Sequence, residues 1–181
     1  MRGRRVVLLT VVLGCAWAAP THDADARPVH LSKRFETDKR VGIGVLAGVP
    51  TGITGKFFFN SEFALDLGVG AYVEYRERDG LHLHMDFLWH PFVAVEGETF
   101  LAPMYVGVGA RLLQYDAMDA MDETVTVTHM GVRVPVGIAF DLGERPFDIF
   151  LEAAFVFDPV MSDEAEGAFD FNGGAGARFY F

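Results

Sequence analysis

From Val41 to the end of the chain, apolar and polar residues alternate in short segments separated by Gly, Pro, Asn and Asp. The clearest segment covers residues 63–76, where every odd position is Phe, Leu, Val, Ala or Tyr. Because successive side chains of a strand point to opposite sides, this pattern predicts a β-strand with one apolar face. Seven further segments have the same pattern and complete a set of eight predicted strands: residues 41–48, 52–59, 81–90, 100–113, 131–141, 147–158 and 169–181.

The two faces of these strands differ in charge as well as in hydropathy. In the six longer segments the apolar faces hold no Asp, Glu, Lys or Arg, and the charged residues all occupy the opposite faces. Those opposite faces are rich in Gly and, over the eight segments, hold a single lysine, Lys56. A solvated exterior is normally rich in Lys, Ser, Thr and Glu, so this composition favours an apolar exterior against lipid and a crowded polar interior.

An even number of strands suits an antiparallel barrel with both chain termini at one end. Ten residues at a rise of about 3.3 Å and a tilt of about 45° cover roughly 23 Å, close to the apolar band of membrane barrels. The predicted fold is therefore all-β: an eight-stranded antiparallel up-and-down transmembrane β-barrel over residues 41–181, with a filled polar lumen. A soluble barrel alternates too, with its apolar face inward, so a small soluble periplasmic ligand-binding barrel is an alternative.

The connections between the predicted strands fall into two classes. Counted from a periplasmic N-terminus, residues 60–62, 96–98 and 142–146 predict tight periplasmic turns. Residues 116–129 and 159–167 predict longer, acidic outer loops. Pro135 lies inside a predicted strand, where it removes a donor from the ladder, and we expect a bulge or local irregularity there.

The first 18 residues have the pattern of a cleaved signal peptide: a basic start, an apolar stretch and an A-x-A cleavage site at residues 16–18. The single cysteine, Cys15, lies in this segment, and residues 12–15 also resemble a lipobox, so acylation of Cys15 stays open. Residues 19–40 are polar and without periodicity, which predicts a flexible periplasmic lead-in. The formal net charge of -10 and the scattered cations argue against nucleic acid as a partner.

Several stretches resemble small outer-membrane barrels: ALDLGVG (64–70), YVGVGAR (105–111), VRVPVGIAF (132–140), DIFLE (148–152) and FNGGAGARFYF (171–181). Through them the chain resembles the small OmpA-like barrels, and more closely a further barrel family noted in spirochaetes and other bacteria. That family has no established catalytic residues, so the resemblance implies a fold and an outer-membrane location and no reaction. Phe179 and Phe181 share one face and resemble the C-terminal signal that the barrel-assembly machinery reads.

Charged residues on the predicted interior faces are the candidate site. They are Asp66, Asp86, Arg111, Arg133, Glu152, Asp170 and Arg178. An eight-stranded barrel is just wide enough to be filled by side chains, and an unpaired buried charge is costly, so we expect a charge-paired plug rather than a channel. A proton or ion relay through the same residues is the alternative.

His82 and His84 share the interior face of one strand with Asp86. Positions i and i+2 lie about 6.6 Å apart along a strand, which favours hydrogen-bonded lumen residues over a shared metal ion. No cofactor, metal or catalytic residue is predicted. The serines make poor nucleophile candidates, because Ser32 lies in the lead-in, Ser61 in a tight turn and Ser162 in an acidic loop without a motif that suggests a base.

These observations predict a monomeric, non-enzymatic integral protein of the outer membrane that serves envelope structure or surface interaction. Its expected partners are outer-membrane lipids, lipopolysaccharide and, during biogenesis, the barrel-assembly machinery. The acidic outer loops are either solvated or gather divalent cations. An outer-membrane lipid-modifying enzyme, an acyl hydrolase or transferase, is the alternative of a different class.

Overall fold

The computed structural model describes residues 34–75, 78–118, 124–143, 145–158 and 168–181. Within this part, eight antiparallel strands form a closed barrel in which each strand pairs with its neighbours along the chain. The strands are β1 Val41–Gly48, β2 Thr51–Phe58, β3 Phe63–Tyr75, β4 Arg78–Glu96, β5 Leu101–Met118, β6 Thr124–Asp141, β7 Phe147–Asp158 and β8 Ala168–Tyr180. The predicted all-β, eight-stranded antiparallel fold is confirmed.

The first and last strands close the ring. Gly44 of β1 lies opposite Arg178 of β8, and a backbone bond of 2.9 Å from the N–H of Phe181 to the carbonyl of Val41 continues the seam beyond the last paired residues. The start of β1 and the end of β8 therefore lie at the same end of the barrel, which we call the terminal end. The opposite end, where β3 leads to β4 and β5 to β6, is called the loop end.

The alternation of the sequence becomes an inside and an outside in the barrel. Outward side chains such as Ile53, Met85 and Phe155 are more than half exposed, and those at inward positions are mostly buried. In a soluble barrel the large apolar side chains would point inward. The described barrel has the opposite arrangement, with its large apolar side chains mainly outward.

Three strands are longer than predicted: β5 and β6 extend by several residues toward the loop end, and β4 extends at both ends. Most of the predicted outer loop 116–129 is in fact strand, since β5 and β6 pair as far as Met118 and Thr124. The alternating Thr and Val of residues 124–128 suit a strand, and Thr126 donates a hydrogen bond of 2.9 Å to Asp116 across the pair. The predicted bounds of this loop are therefore wrong, because the prediction relied on the acidic residues. The predicted loop 159–167 lies outside the described residues.

Pro135 causes the expected irregularity, in the form of an interruption. The ladder between β5 and β6 passes from Val106–Val136 to Gly109–Arg133 with no pairs between them, and the register stays the same. Proline has no N–H to donate. On its other side Pro135 keeps its place in the ladder with β7.

A bulge near Pro91 in β4 was not predicted. The register with β5 shifts between Trp89 and Phe92, so the inward side changes from the even position His90 to the odd position Val93, and both side chains are buried. A bulge adds one residue on one strand and reverses the alternation beyond it. For this reason the simple alternation ends at His90, although the strand continues.

The last residues of the predicted flexible lead-in pack against the barrel. Residues 34–40, which we call the strap, lie across the terminal end. Phe35 is 3% exposed, and the carbonyl of Arg40 accepts a hydrogen bond of 2.8 Å from the N–H of Phe58. The strap thus packs on the barrel through a buried apolar side chain, and the flexibility of the lead-in stays a prediction. The predicted signal peptide 1–18, Cys15 and residues 19–33 lie outside the described residues.

Buried apolar residues cluster at the terminal end and include Phe35, Phe58, Leu88, Tyr105 and Phe150. Toward the loop end, the interior is mainly polar. The described residues contain no helix that is long and apolar enough to cross a membrane.

Candidate functional site: the charged lumen

Large lumen side chains occupy space that is free because the residue opposite is glycine. A Cβ on Gly176 would lie 2.3 Å from the ring of Phe150, and one on Gly137 would lie 2.3 Å from the ring of Tyr105. Each of these glycines is the direct cross-strand partner of the residue it accommodates. The Gly-rich interior faces therefore provide space for large side chains across the sheet, as the predicted crowded lumen requires.

The layer at the terminal end joins the strap to the barrel. Lys39 Nζ lies 2.5 Å from Asp141 Oδ1 and 3.3 Å from the carbonyl oxygen of Phe147. Beside it, the hydroxyl of Tyr180 donates a hydrogen bond of 2.6 Å to Asp148. One strap lysine therefore contacts the carboxyl end of β6 and the first residue of β7.

Lys56 is buried in the same layer, with no direct carboxylate partner in the described part of the chain. Its Nζ donates to His90 Nε2 at 2.9 Å, and His90 Nδ1 lies 3.2 Å from the carbonyl oxygen of Glu62. The two bonds together require His90 to be neutral, with its proton on Nδ1. The ammonium also lies over the rings of Phe58 and Tyr105, 4.9 and 4.6 Å from their centroids, which stabilises the cation.

The second layer is centred on Arg178. Its Nη2 lies 2.5 Å from Asp66 Oδ2 and 3.1 Å from Thr54 Oγ1, and Thr54 in turn donates a bond of 3.0 Å to Asp66. The guanidinium stacks over Phe150 at 3.7 Å from the ring centroid. Four strands thus meet through one buried ion pair and one aromatic face.

The third layer is centred on Arg133. One guanidinium nitrogen bonds Asp86 and the other lies 2.6 Å from Glu152 Oε1. The second oxygen of Glu152 accepts a bond of 2.9 Å from the hydroxyl of Tyr105. Each partner comes from a different strand, so the arrangement connects β4, β5, β6 and β7 across the lumen.

The fourth layer, nearest the loop end, is centred on Arg111. It bonds Asp158 through Nη2 and lies 2.5 Å from Asp170 Oδ2 through Nη1. Asn172 adds a contact of 3.4 Å to the same Nη1. Along β7, the acidic residues Asp148, Glu152 and Asp158 thus follow one another from the terminal end to the loop end.

The two predicted lumen histidines lie together. His84 Nδ1 and His82 Nε2 are 3.3 Å apart, and the rings meet edge to face at 5.4 Å. The ring of His84 occupies the space left by Gly68 on the neighbouring strand. No group of three or more His, Cys, Asp or Glu side chains in the described residues is arranged to hold a metal ion.

All seven charged residues predicted to face the lumen are placed there, with each arginine in contact with at least one of the four acids. The sequence reasoning did not name as site residues several others that belong to the layers: Lys39, Thr54, Lys56, His90, Tyr105, Asp141, Asp148, Asp158, Asn172 and Tyr180. Most of these residues lie at the inward positions of their strand, so the alternation could have predicted them. Lys39 could not be predicted in this way, because the strap has no alternation.

The space left at the terminal end is small. There, the hollow under Phe35 measures about 10 Å³, close to the size of one water molecule. Another hollow, of about 560 Å³, is lined largely by outward apolar side chains such as Ile53 and Leu83, and also by the inward His84 and Arg111. The described lumen is therefore packed at the terminal end.

Comparison with solved structures finds a likeness to the N-terminal β-barrel domain of Pseudomonas aeruginosa OprF. The TM-score is 0.59 at 15% sequence identity, and the match covers 78% of this chain and 96% of that domain. The fold is that of an OmpA-like eight-stranded barrel. No protein-family model matches the chain, and no curated protein matches it.

Proposed function

We propose that this chain is an integral β-barrel protein of the outer membrane, monomeric and non-enzymatic, that contributes to envelope structure or surface interaction. One observation carries the proposal: between the two ends of the described ring, the outward side chains form an apolar belt without charged residues, exemplified by Ile43, Leu67, Val108 and Leu151. In water such a surface would drive aggregation. In a bilayer the lipid tails would cover this surface.

The lumen serves as a structural plug in this proposal. Its arginines are paired with carboxylates that reach them from other strands, and the paired side chains tie opposite walls of the ring together. A buried charge is costly unless it is paired and hydrogen-bonded. The packed layers and the strap across the terminal end favour a closed barrel over an aqueous pore.

The remaining parts of the proposal concern biogenesis and partners. Residues 1–18 would direct export, and Phe179 and Phe181 would be read by the barrel-assembly machinery. Phe179 is half exposed on the outer wall and Phe181 is largely exposed, as an accessible C-terminal signal requires. Outer-membrane lipids and lipopolysaccharide are the proposed contacts of the wall, and membership of the barrel family noted in spirochaetes belongs to the proposal as well.

The test introduces a charge into the belt. Leu67 is 47% exposed on the outer wall between Gly55 and Met85 of the flanking strands. We expect Leu67→Arg to lower the free energy of unfolding by about 2 to 4 kcal/mol in lipid vesicles, the cost of an arginine near the middle of a bilayer. The control is Thr128→Arg, an exposed position of β6 beyond the belt, with an expected change of less than about 0.5 kcal/mol.

Fractionation completes the experiment. We expect the wild-type protein in the outer-membrane fraction, with a gel mobility in SDS that changes on boiling because a closed barrel resists the detergent until it is heated. A soluble periplasmic protein whose stability is the same with Leu67 and with arginine at that position would overturn the proposal.

A further inference from the structure

The hollow of about 560 Å³ is a groove between two rows of outward apolar residues. Within each row the residues are register partners on successive strands, so they lie side by side across the sheet. The first row runs from β1 to β5 and consists of Ile43, Gly55, Leu67, Met85 and Ala110. The second row runs from β2 to β6 and consists of Ile53, Val69, Leu83, Leu112 and Met130.

The main chain forms the floor of this groove. Thr54, Gly68, His84 and Arg111 occupy the register positions between the two rows, on β2 to β5. The side chains of Thr54, His84 and Arg111 are buried in the lumen, because successive residues of a strand point to opposite sides. The groove therefore opens to the outside of the barrel, and its walls are apolar side chains.

Two small residues widen the groove. A Cβ on Gly55 would have its nearest described neighbour at 3.7 Å, whereas one on Gly68 would lie 2.2 Å from the ring of His84. The space beside Gly68 is thus filled from within the chain, and the space above Gly55 is open. Ala110, an exposed residue opposite Met85, leaves a second gap in the first row.

The dimensions of the groove match a lipid tail in one leaflet of a bilayer. From β1 to β6 there are five spacings between neighbouring strands, which at about 4.8 Å each extend over roughly 24 Å along the wall. Because the strands of a membrane barrel are tilted by about 45°, a row across them has a similar tilt and descends through roughly 17 Å. The hydrocarbon core of a bilayer is about 30 Å thick, which gives about 15 Å for each leaflet.

The two ends of the groove differ in polarity. At the β6 end, the next outward row toward the loop end contains Gln114 and Thr128, which are exposed register partners. At the β1 end, Ile43 lies opposite Phe179 of β8 on the apolar wall. An amphiphile in the groove would therefore have its polar head at the loop end and its apolar tail toward the terminal end.

We propose that the groove binds one acyl chain of a membrane lipid, with the polar head of the lipid beside Gln114 and Thr128. A polypeptide segment in the groove would bring N–H and C=O groups that find no partner in an apolar lining, and this is costly away from water. An acyl chain has no polar group along its length and bends to follow a curved wall. The inference rests on the proposed function, because a lipid tail reaches the outer wall in a bilayer.

The test measures where a labelled lipid tail lies on the wall. The full-length protein is placed in phosphatidylcholine nanodiscs that contain a small fraction of phosphatidylcholine with a nitroxide in the middle of one acyl chain, and relaxation of the protein methyl groups is measured by NMR. We expect the nitroxide to enhance relaxation of Leu67 and Leu83, one from each row, about threefold more than that of Ile149 and Leu151. These two reference residues are exposed on β7 and do not line the groove.

Two matched variants separate the groove from the rest of the wall. Ala110→Leu fills the groove, and Ala175→Leu makes the same change at an exposed outward position of β8 that does not line it. We expect Ala110→Leu to lower the enhancement at Leu67 and Leu83 to that of the reference residues, and Ala175→Leu to leave it unchanged. Gly55→Leu fills the same groove from β2 and should act as Ala110→Leu does, with heat-dependent gel mobility as the check that each variant folds.

The possible failures are distinguishable. A protein that does not insert into nanodiscs would overturn the proposed function and the groove together. A protein that inserts but shows equal enhancement around the ring, or equal effects of Ala110→Leu and Ala175→Leu, would overturn the acyl-chain site alone. Weaker enhancement at Leu67 and Leu83 than at the reference residues would mean that a second protein surface covers the groove, and this too would overturn the inference.

Discussion

The buried arginine of the third layer offers the sharpest test of the charged lumen. Arg133 is 2% exposed and contacts both Asp86 and Glu152. In Arg133→Met the side chain keeps much of its volume and loses its charge, so two carboxylates remain in the lumen without their cation. Removing one partner of a buried pair typically costs about 3 to 5 kcal/mol, because the remaining charge is left uncompensated.

The assay is urea unfolding of the protein in lipid vesicles, followed by the fluorescence of Trp89, the only tryptophan after residue 18. At a slope near 2 kcal/mol per molar urea, the expected loss moves the midpoint down by roughly 2 M. Arg145→Met is the matched control, since it removes the same charge from an exposed turn residue. Its midpoint should move by less than about 0.3 M, as for ordinary surface changes.

A compensated variant tests the reason for the loss. In the triple substitution Arg133→Met, Asp86→Asn and Glu152→Gln, the layer loses its cation and both anions together. Replacing all members of a buried ionic group is often close to neutral, whereas removing one is not. We therefore expect the triple variant to be more stable than Arg133→Met alone. A single variant as stable as the wild type, or a triple variant less stable than the single one, would refute the account of the lumen as a set of mutually neutralising charges.

Two further predictions concern the packing of the barrel. Gly176→Ala should lower the free energy of unfolding by about 1 to 3 kcal/mol, because a Cβ there would lie 2.3 Å from the ring of Phe150. Gly55→Ala is the control, because the nearest atom to a Cβ there is 3.7 Å away, and it should leave the urea midpoint nearly unchanged. Equal losses of stability in both variants would contradict the packing argument. Lys39→Met should release the strap by removing its bond to Asp141, and raise the rate of chymotrypsin cleavage at Phe35 by about tenfold without cleavage of the barrel. An unchanged rate would show that Lys39 does not hold the strap.

The parts of the fold that sequence analysis predicted well depend on a local property of the chain. Alternation alone gave the bounds of β1 and β7 as the structure has them. The prediction was less accurate for β4, because the alternation changes phase at a bulge near Pro91 and the strand continues beyond it. It was also less accurate for β6, which begins at Thr124, because the acidic residues before Thr124 made this stretch resemble a loop.

The candidate site, too, could be predicted from the sequence only in part. The face on which Arg111, Arg133 and Arg178 lie follows from their position in the strand, because the period of two is a property of each strand alone. Which acid each arginine meets does not follow from it. Arg178 reaches Asp66 and Arg111 reaches Asp158 across the lumen, and those distances are set by the registers of the ladders between strands.

The sequence by itself thus determined that the chain forms eight strands, that one face of each is apolar and that the charges lie on the other. Only the tertiary structure decided the order of the charged layers and the closure of the terminal end by the strap. The physical reason is that alternation acts between neighbouring residues, whereas pairing across the lumen and docking of the strap depend on contacts between residues far apart in the chain.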